Sequence, residues 1–174
     1  MTESMGIGQR LTPDRDLIVT DFVSDTLCAF FPDDHPLARQ AGQLRLADCI
    51  AYPQIVTKPN SSVRLLLERA LARKRAEIEI VMESNYMSTA LAGVRAGMGI
   101  SILPRSAIDA GRTEGLLCVP LGDASLQRQI GFIRRRHRDL SAAALALIQI
   151  FQQAAAQGQL ESWRAVSPPD DPAG

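Results

Sequence analysis

Between residues 54 and 121, short β-branched or apolar runs take turns with segments of helical period, and this alternation restricts the fold more than any single motif does. The run "QIVTK" (54 to 58) is strand-like and ends on a Pro-Asn-Ser-Ser cluster. Beyond Ser61, the residues Val63, Leu66, Leu67, Ala70 and Leu71 fall at helical spacing, with Arg64, Glu68, Arg69 and Arg73 on the other faces. That pattern predicts an amphipathic helix capped by a serine. "EIEIVME" (77 to 83) predicts another strand, and Ser84 and Asn85 are cap candidates for a helix over about 86 to 96. "MGISILP" and "LLCVPL" predict two more strands, with a helical turn or two at "RSAIDAG" between them. Strands alternating with helices imply parallel βαβ units, hence an α/β fold with an open, mostly parallel sheet covered on both faces. Ligands of such sheets gather at the carboxyl ends of the strands.

Outside this region, "DTLCAFFP" (25 to 32) reads as a strand closed by proline, and "DDHPLAR" turns away from it. "LRLADCIAYP" is a linking piece with one helical turn around Leu46 to Cys49. "RQIGFIRRR" (128 to 136) predicts a strand, and "LSAAALALIQIFQQAAAQ" (140 to 157) the longest helix, with Ala144, Leu147, Ile148 and Phe151 along one stripe. The ending "SPPDDPAG" reads as a disordered tail. At 174 residues the chain fits one ordinary domain or two small lobes, and it shows no internal repeat.

Composition excludes several classes of function. Apolar residues at 46% and charged residues at 22% are average usage, which fits neither wholesale disorder nor a membrane protein. Nineteen basic residues balance nineteen acidic ones, which argues against this chain gripping DNA by itself. Arg134, Arg135, Arg136 and Arg138 form a basic spot without aromatic neighbours for base stacking, so they read as strand-end residues facing water. Cys28, Cys49 and Cys118 are odd in number and far apart, as expected for buried thiols of a reducing cytoplasm. The beginning lacks the pattern of an export signal, and no apolar run approaches the ~20 residues of a membrane span. A cytoplasmic protein with no membrane partner is the expectation.

"GVRAGMGISILP" (93 to 104) tests whether the glycines hold a phosphate. Phosphate loops run from strand to helix, because unpaired amides and the positive end of the dipole belong to a helix N-terminus. Here a helix enters Gly97 and a strand leaves it, so the groups on offer are carbonyls. Gly97 therefore reads as the left-handed residue that ends a helix, and Gly99 as a place where the next strand passes close to its neighbours. The strand-to-helix junctions are "TKPNSSVR" (57 to 64) and "MESNYMS" (82 to 88). Ser61 and Ser62 open one helix, Ser84 and Asn85 the next, with Thr57 and Lys58 at the edge. Plain capping and ligand binding both account for these residues. Lys58 could offset a carboxylate. His35, beside Asp33 and Asp34, reads as part of a surface turn and His137 as part of a solvated face. Neither lies in a nucleophile-elbow context, and no spacing matches a metal site, so catalysis, a metal and a cofactor are not expected.

Taken together, "FFPDDHPLA" with "LRLADCIAYPQIV", "SNYMSTALAGVRAGMGISILP" and "LQRQIGFIRRRHRDLSAAALALIQIF" resemble the effector-binding domain of LysR-type transcriptional regulators, over about residues 5 to 156. The resemblance implies a periplasmic-binding-protein-like fold (type 2) of two α/β lobes joined by crossing strands, with a small effector held between them. Residues 22–127 would be a complete second lobe. Residues 1–21 would be a remnant of the first lobe and a crossing segment, 128–157 its return strand and C-terminal helix, and 158–174 a tail. The family's DNA-binding winged helix-turn-helix and most of its first lobe would lie outside this sequence. By position, the effector contacts would be Thr57, Lys58, Asn60, Ser61, Ser62, Ser84 and Asn85, and the effector a small organic acid. Homo-oligomers through effector domains, and DNA contact only through the absent helix-turn-helix, are also implied. Two alternatives stand beside this reading: an interaction module that pairs with full-length regulator subunits, and a small-molecule enzyme of α/β fold.

Overall fold

A computed structural model describes residues 5–9, 15–40, 44–108, 115–157 and 164–165. The chain divides into two compact units, Thr26–Gln127 and Met1–Asp25 with Arg128–Gly174. Strand β1 (Met5–Gly8) belongs to the second of these, and the 16-residue β2 (Leu17–Pro32) passes from it into the first.

The unit Thr26–Gln127 continues with α1 (Leu46–Cys49), β3 (Gln54–Thr57), α2 (Ser62–Lys74), β4 (Ile80–Ser84), α3 (Met87–Arg95), β5 (Ser101–Pro104) and β6 (Leu116–Pro120). β3 and β4 pair in parallel, and a parallel bridge between Gln54 and Ile100 attaches them to β5. β2 lies between β5 and β6 and runs against both, so that Phe30 faces Ser101 on one side and Cys118 on the other. The order is therefore β4-β3-β5-β2-β6, with only β2 reversed. The mostly parallel sheet expected from the sequence holds for strand direction, but the ladders are mixed. β2 is the strand that arrives from the other unit without a helical crossover in front of it. Leu27, Cys28, Ala29, Phe30 and Phe31 of β2 are all fully buried, the unbroken apolar run of a strand covered on both faces. Around it pack Leu37, Leu46, Ile55, Leu67, Ala90, Ile100 and Leu103.

Asp123 fastens one corner of this unit. Its Oδ2 accepts the Leu46 N–H at 2.7 Å, at the start of α1, and its Oδ1 pairs with Lys74 Nζ at 3.0 Å, at the end of α2. Burial alone would raise its carboxyl pKa, but the Leu46 amide and the Lys74 ammonium outweigh that and hold it below the ordinary value.

The strand expected at 77 to 83 begins only at Ile80, because Gln54, the first residue of β3, is paired with Ile80 and offers no ladder to earlier residues. Gly97 behaves as expected. Its φ is +72°, its N–H donates to the Val94 carbonyl, and the Met98 N–H donates to the Gly93 carbonyl. These two bonds close α3 in a Schellman arrangement that satisfies the Gly93 and Val94 carbonyls.

In the other unit β1 pairs antiparallel with β7 (Gln127–Arg135), which neighbours β2. Phe22 of β2 stacks on Phe132 of β7 at 4.5 Å, and Phe151 of α4 (Ala142–Ala156) meets both edge-on. The side chain of Asp25, fully buried, receives two bonds from Arg128, Nη2 at 2.7 Å and Nε at 3.2 Å. The stripe expected along α4 is narrower than the sequence suggests. Ile148 and Phe151 are half-buried and Ala155 is buried, while Leu147 stays 41% exposed. The tail also departs from expectation at one point: Arg164–Ala165 forms a short strand, β8, antiparallel to Val23 and Ser24. The remainder of 158–174 lies outside the described residues.

Gly99 is the tightest point near β5. A Cβ there would lie 2.5 Å from the Pro53 carbonyl oxygen, whereas one at Gly97 would meet nothing within 4 Å. We predict that Gly99→Ala costs about 2 kcal/mol through forced displacement of backbone, and Gly97→Ala about 1 kcal/mol through its positive φ alone. Urea unfolding midpoints check this; equal loss at the two positions would show that the approach at Gly99 is not tight.

Candidate functional site

The carboxyl ends of β3 and β4 lie side by side because the ladder sets Thr57 opposite Ser84. The Lys58 N–H then donates to the Ser84 carbonyl at 2.9 Å, which carries the pairing one step past β3. Beyond it the chain turns at Asn60, whose φ of 65° is a left-handed conformation that asparagine tolerates better than most residues. The Ser61 N–H returns to the Lys58 carbonyl at 3.3 Å. Ser61 is the N-cap of α2: its Oγ accepts the Arg64 N–H at 3.1 Å and lies 2.7 Å from Thr57 Oγ1. Capping therefore accounts for one of the hydroxyls, and that hydroxyl is also bonded to the end of β3. Thr57 is buried, Ser61 and Ser62 are half-buried, and Lys58 and Asn60 are exposed.

At the second junction the expected cap is displaced. Tyr86, not Ser84 or Asn85, stands at the N-cap of α3 and makes no side-chain cap bond. β4 runs through Ser84, so that the Ser84 hydroxyl falls two residues before the cap position. Its Oγ instead donates to the Tyr86 carbonyl at 2.8 Å and accepts the Tyr86 N–H at 3.2 Å. Ser84 is buried, while Asn85 and Tyr86 are exposed, Tyr86 to 71%.

Of the seven residues singled out in the sequence, the structure joins Thr57, Ser61, Lys58 and Ser84 directly through the bonds above. Asn60 and Ser62 lie on the same turn, and Asn85 directly follows Ser84. The side chains of Lys58, Asn60, Ser62 and Asn85 have no hydrogen-bond or ion-pair partner among the described residues. One exposed ammonium, two amides and a hydroxyl are thus uncommitted beside two helix N-termini, an environment that suits a small anion.

Arg64 is the residue that sequence reasoning misplaced. Assigned to an outer face of α2, it is in fact buried, with its guanidinium behind the junction. The signal was present: residue 64 stands three positions before Leu67 and seven before Leu71, which marks the inner face. His35 lies in the expected turn but is half-buried. Its ring packs against Tyr52 at 4.6 Å and Phe31 at 5.5 Å, and its Nδ1 accepts the Leu37 N–H at 3.2 Å. Burial lowers its pKa against the opposing pull of Asp34. His137 is exposed in a turn. Among the described residues no cluster of His, Cys, Asp and Glu could hold a metal ion, and no helix is long and apolar enough to cross a membrane. The Cys49 thiol is pushed up to about 12, first by burial and then by Asp48 and Asp123.

A family model for the LysR substrate binding domain matches residues 5–156. The chain belongs to this family. A regulator of Escherichia coli (strain K12), the uncharacterized HTH-type transcriptional regulator YbhD, is 31% identical over 139 residues, covering 80% of this chain and 44% of the relative. CbbR, an HTH-type transcriptional regulator of Xanthobacter flavus, is 28% identical over 124 residues, covering 70% and 37%. This LysR-family chain thus spans less than half the length of these relatives. Among solved structures, the effector binding domain of QuiR in complex with shikimate aligns with a TM-score of 0.75 at 18% identity, over 88% of this chain and 72% of that one. The BenM effector binding domain with its effector benzoate aligns at 0.73 and 22% identity, over 98% and 75%. Likeness at this identity establishes the fold, which is α/β and periplasmic-binding-protein-like (type 2).

Ser61 and its neighbour separate structural from spare hydroxyls. Ser61→Ala should lower stability by about 1 kcal/mol, the usual cost of a lost serine cap, whereas Ser62→Ala should stay within about 0.5 kcal/mol. Paired urea titrations of the two variants test the assignment, and it fails if Ser62→Ala proves the costlier.

Proposed function

We propose that this LysR-family domain senses a small organic acid at the β3–α2 and β4–α3 junctions, and that occupancy there controls transcription. The observation that carries this reading is the Thr57–Ser84 register, which places the uncommitted Lys58 ammonium and the Ser62, Asn60 and Asn85 side chains about one pair of strand ends. In this reading Lys58 offsets the carboxylate charge, and the hydroxyl and amide side chains of Thr57, Asn60, Ser61, Ser62, Ser84 and Asn85 bond its oxygens and substituents. Structural neighbours support the ligand class: QuiR in complex with shikimate and BenM with its effector benzoate. We read Thr26–Gln127 as the second effector-binding lobe and the other unit as part of the first, with residues 5–8 and 127–135 in its sheet. Contact with DNA is then the task of a helix-turn-helix outside this sequence, the protein works in the cytoplasm, and it is a sensor rather than an enzyme. The relatives' names as transcriptional regulators support all three statements.

A thermal-shift screen against small organic acids tests the reading, because a ligand selective for the native state must raise the melting temperature. For an acid so identified, Lys58→Ala and Ser62→Ala should each weaken affinity about tenfold, while stability changes by less than about 1 kcal/mol. Unchanged affinity in both variants would remove these residues from the site.

The exposure of Leu145, Leu147 and Ile150 on α4 favours a second reading, an interaction module that pairs with full-length regulator subunits. Sedimentation of the chain alone and mixed with a full-length relative separates the two. A mixed species is expected if pairing is the function, and unchanged masses exclude it.

A further inference from the structure

Position 64 on α2 faces inward, where an apolar side chain would satisfy the packing. A charge removed from water is kept there only at a cost that its partners must offset, so its presence points to something other than core filling. The Arg64 side chain is 10% exposed. Its Nε donates to Glu68 Oε1 at 2.7 Å, and its Nη1 lies 3.5 Å from both the Thr57 carbonyl oxygen and Glu83 Oε1. Thr57 ends β3, Glu83 precedes Ser84 on β4, and Glu68 is one turn further along α2. One guanidinium therefore spans the ends of both strands and the first turns of the helix, the elements that carry Thr57, Ser61, Ser62 and Ser84. Alongside it, the bond from the Lys58 N–H to the Ser84 carbonyl carries the β3–β4 ladder one step past Thr57. The segment being held includes the left-handed turn residue Asn60.

We propose that Arg64 is the positioning residue of the candidate site, and that it sets ligand affinity from behind the turn by locking residues 57–61 against the end of β4, without touching the ligand. Arginine suits the role because its planar fork reaches several acceptors in fixed directions, which a lysine ammonium does only in part. Glu68 and Glu83, both half-exposed, supply the carboxylate acceptors that offset the cost of burying its charge. The link to affinity rests on the effector-site reading above; the lock itself does not.

Amide hydrogen exchange on the folded protein tests the lock directly. In Arg64→Met the amides of Lys58 and Ser61 should exchange about tenfold faster, the loss of one charged hydrogen bond, while amides of β5 and β6 keep their wild-type protection. Arg64→Lys should recover most of this and leave less than about threefold acceleration. Uniform acceleration of every protected amide, or none at Lys58 and Ser61, overturns the proposal. Should Arg64→Met fail to fold, Glu83→Gln removes an exposed partner and leaves α2 intact. It should speed the same two amides about threefold, and no change there counts equally against the lock. Calorimetric titration with benzoate and with shikimate supplies the second readout, where Arg64→Met should weaken whichever probe binds by about tenfold. Unchanged affinity alongside faster local exchange overturns the claim that the lock governs binding. If the wild type binds neither probe, that counts against the acid-sensing reading alone, while the exchange result still decides the role of Arg64.

Discussion

Parallel strands of one sheet cannot be joined by a tight turn, so β3 reaches β4 through α2, and β4 reaches β5, on the far side of β3, through α3. Each crossover brings the chain back to start its next strand from the same side, and both helices consequently begin at the same edge of the sheet. Thr57 and Ser84 become ladder partners there, and the amide-bearing starts of α2 and α3 follow within a few residues. The far ends of the helices are treated differently. α2 closes on a left-handed Arg75, whose N–H bonds back to the Leu71 and Ala72 carbonyls, and α3 closes on Gly97 in the Schellman arrangement. Several of the terminal carbonyls, those of Leu71, Ala72, Gly93 and Val94, are thereby satisfied internally. The preference of one edge for negative charge is a product of connectivity before any side chain is considered.

The reversed strand β2 makes this arrangement possible. Wedged between β5 and β6, it supplies the two largest fully buried side chains among the described residues, Phe30 and Phe31, and ties the parallel strands together. Ser101 adds a polar tie inside the core, with its Oγ donating to the Ile55 carbonyl at 2.6 Å. Because β3 meets β5 through a single bridge, that bond and the close approach at Gly99 help to fix the height of β3, and with it the height of Thr57.

How far the sequence discloses all this depends on what each signal measures. Helical period is a direct readout of burial, and α2, α3 and the Gly97 stop were legible to within a residue or two. Strand limits depend on a partner distant in sequence, which is why the start of β4 and the first half of β2 were not. Residues 17–24 of β2 contain Thr20, Asp21 and Ser24, and those polar positions break the apolar run that marks 25–32. The burial of Arg64 escaped notice because residue type was weighed above position on the helix. The stripe on α4 was overestimated for the opposite reason: periodicity shows which side chains could be buried, not whether anything covers Leu147. At the site, the residues on the strand-to-helix junctions were legible because chain direction alone puts amides there. Which hydroxyl caps and which stays free was not, since Ser61 and Ser62 differ only in register, and register is fixed by where β3 ends.

The two hydroxyls at the head of α2 show why a structural cap need not be lost to ligand binding. Thr57 and Ser61 bring two hydroxyl protons, and only one can lie between their oxygens, 2.7 Å apart. The Ser61 oxygen already accepts the Arg64 N–H. If Thr57 donates to Ser61 as well, both lone pairs of Ser61 are filled and its own proton is left to point outward; if Ser61 donates, the proton of Thr57 is the spare one. Either way the pair keeps one proton that a carboxylate oxygen could accept, together with two unfilled lone pairs. A hydroxyl engaged in capping therefore still leaves the pair a proton to offer to a ligand of the proposed site.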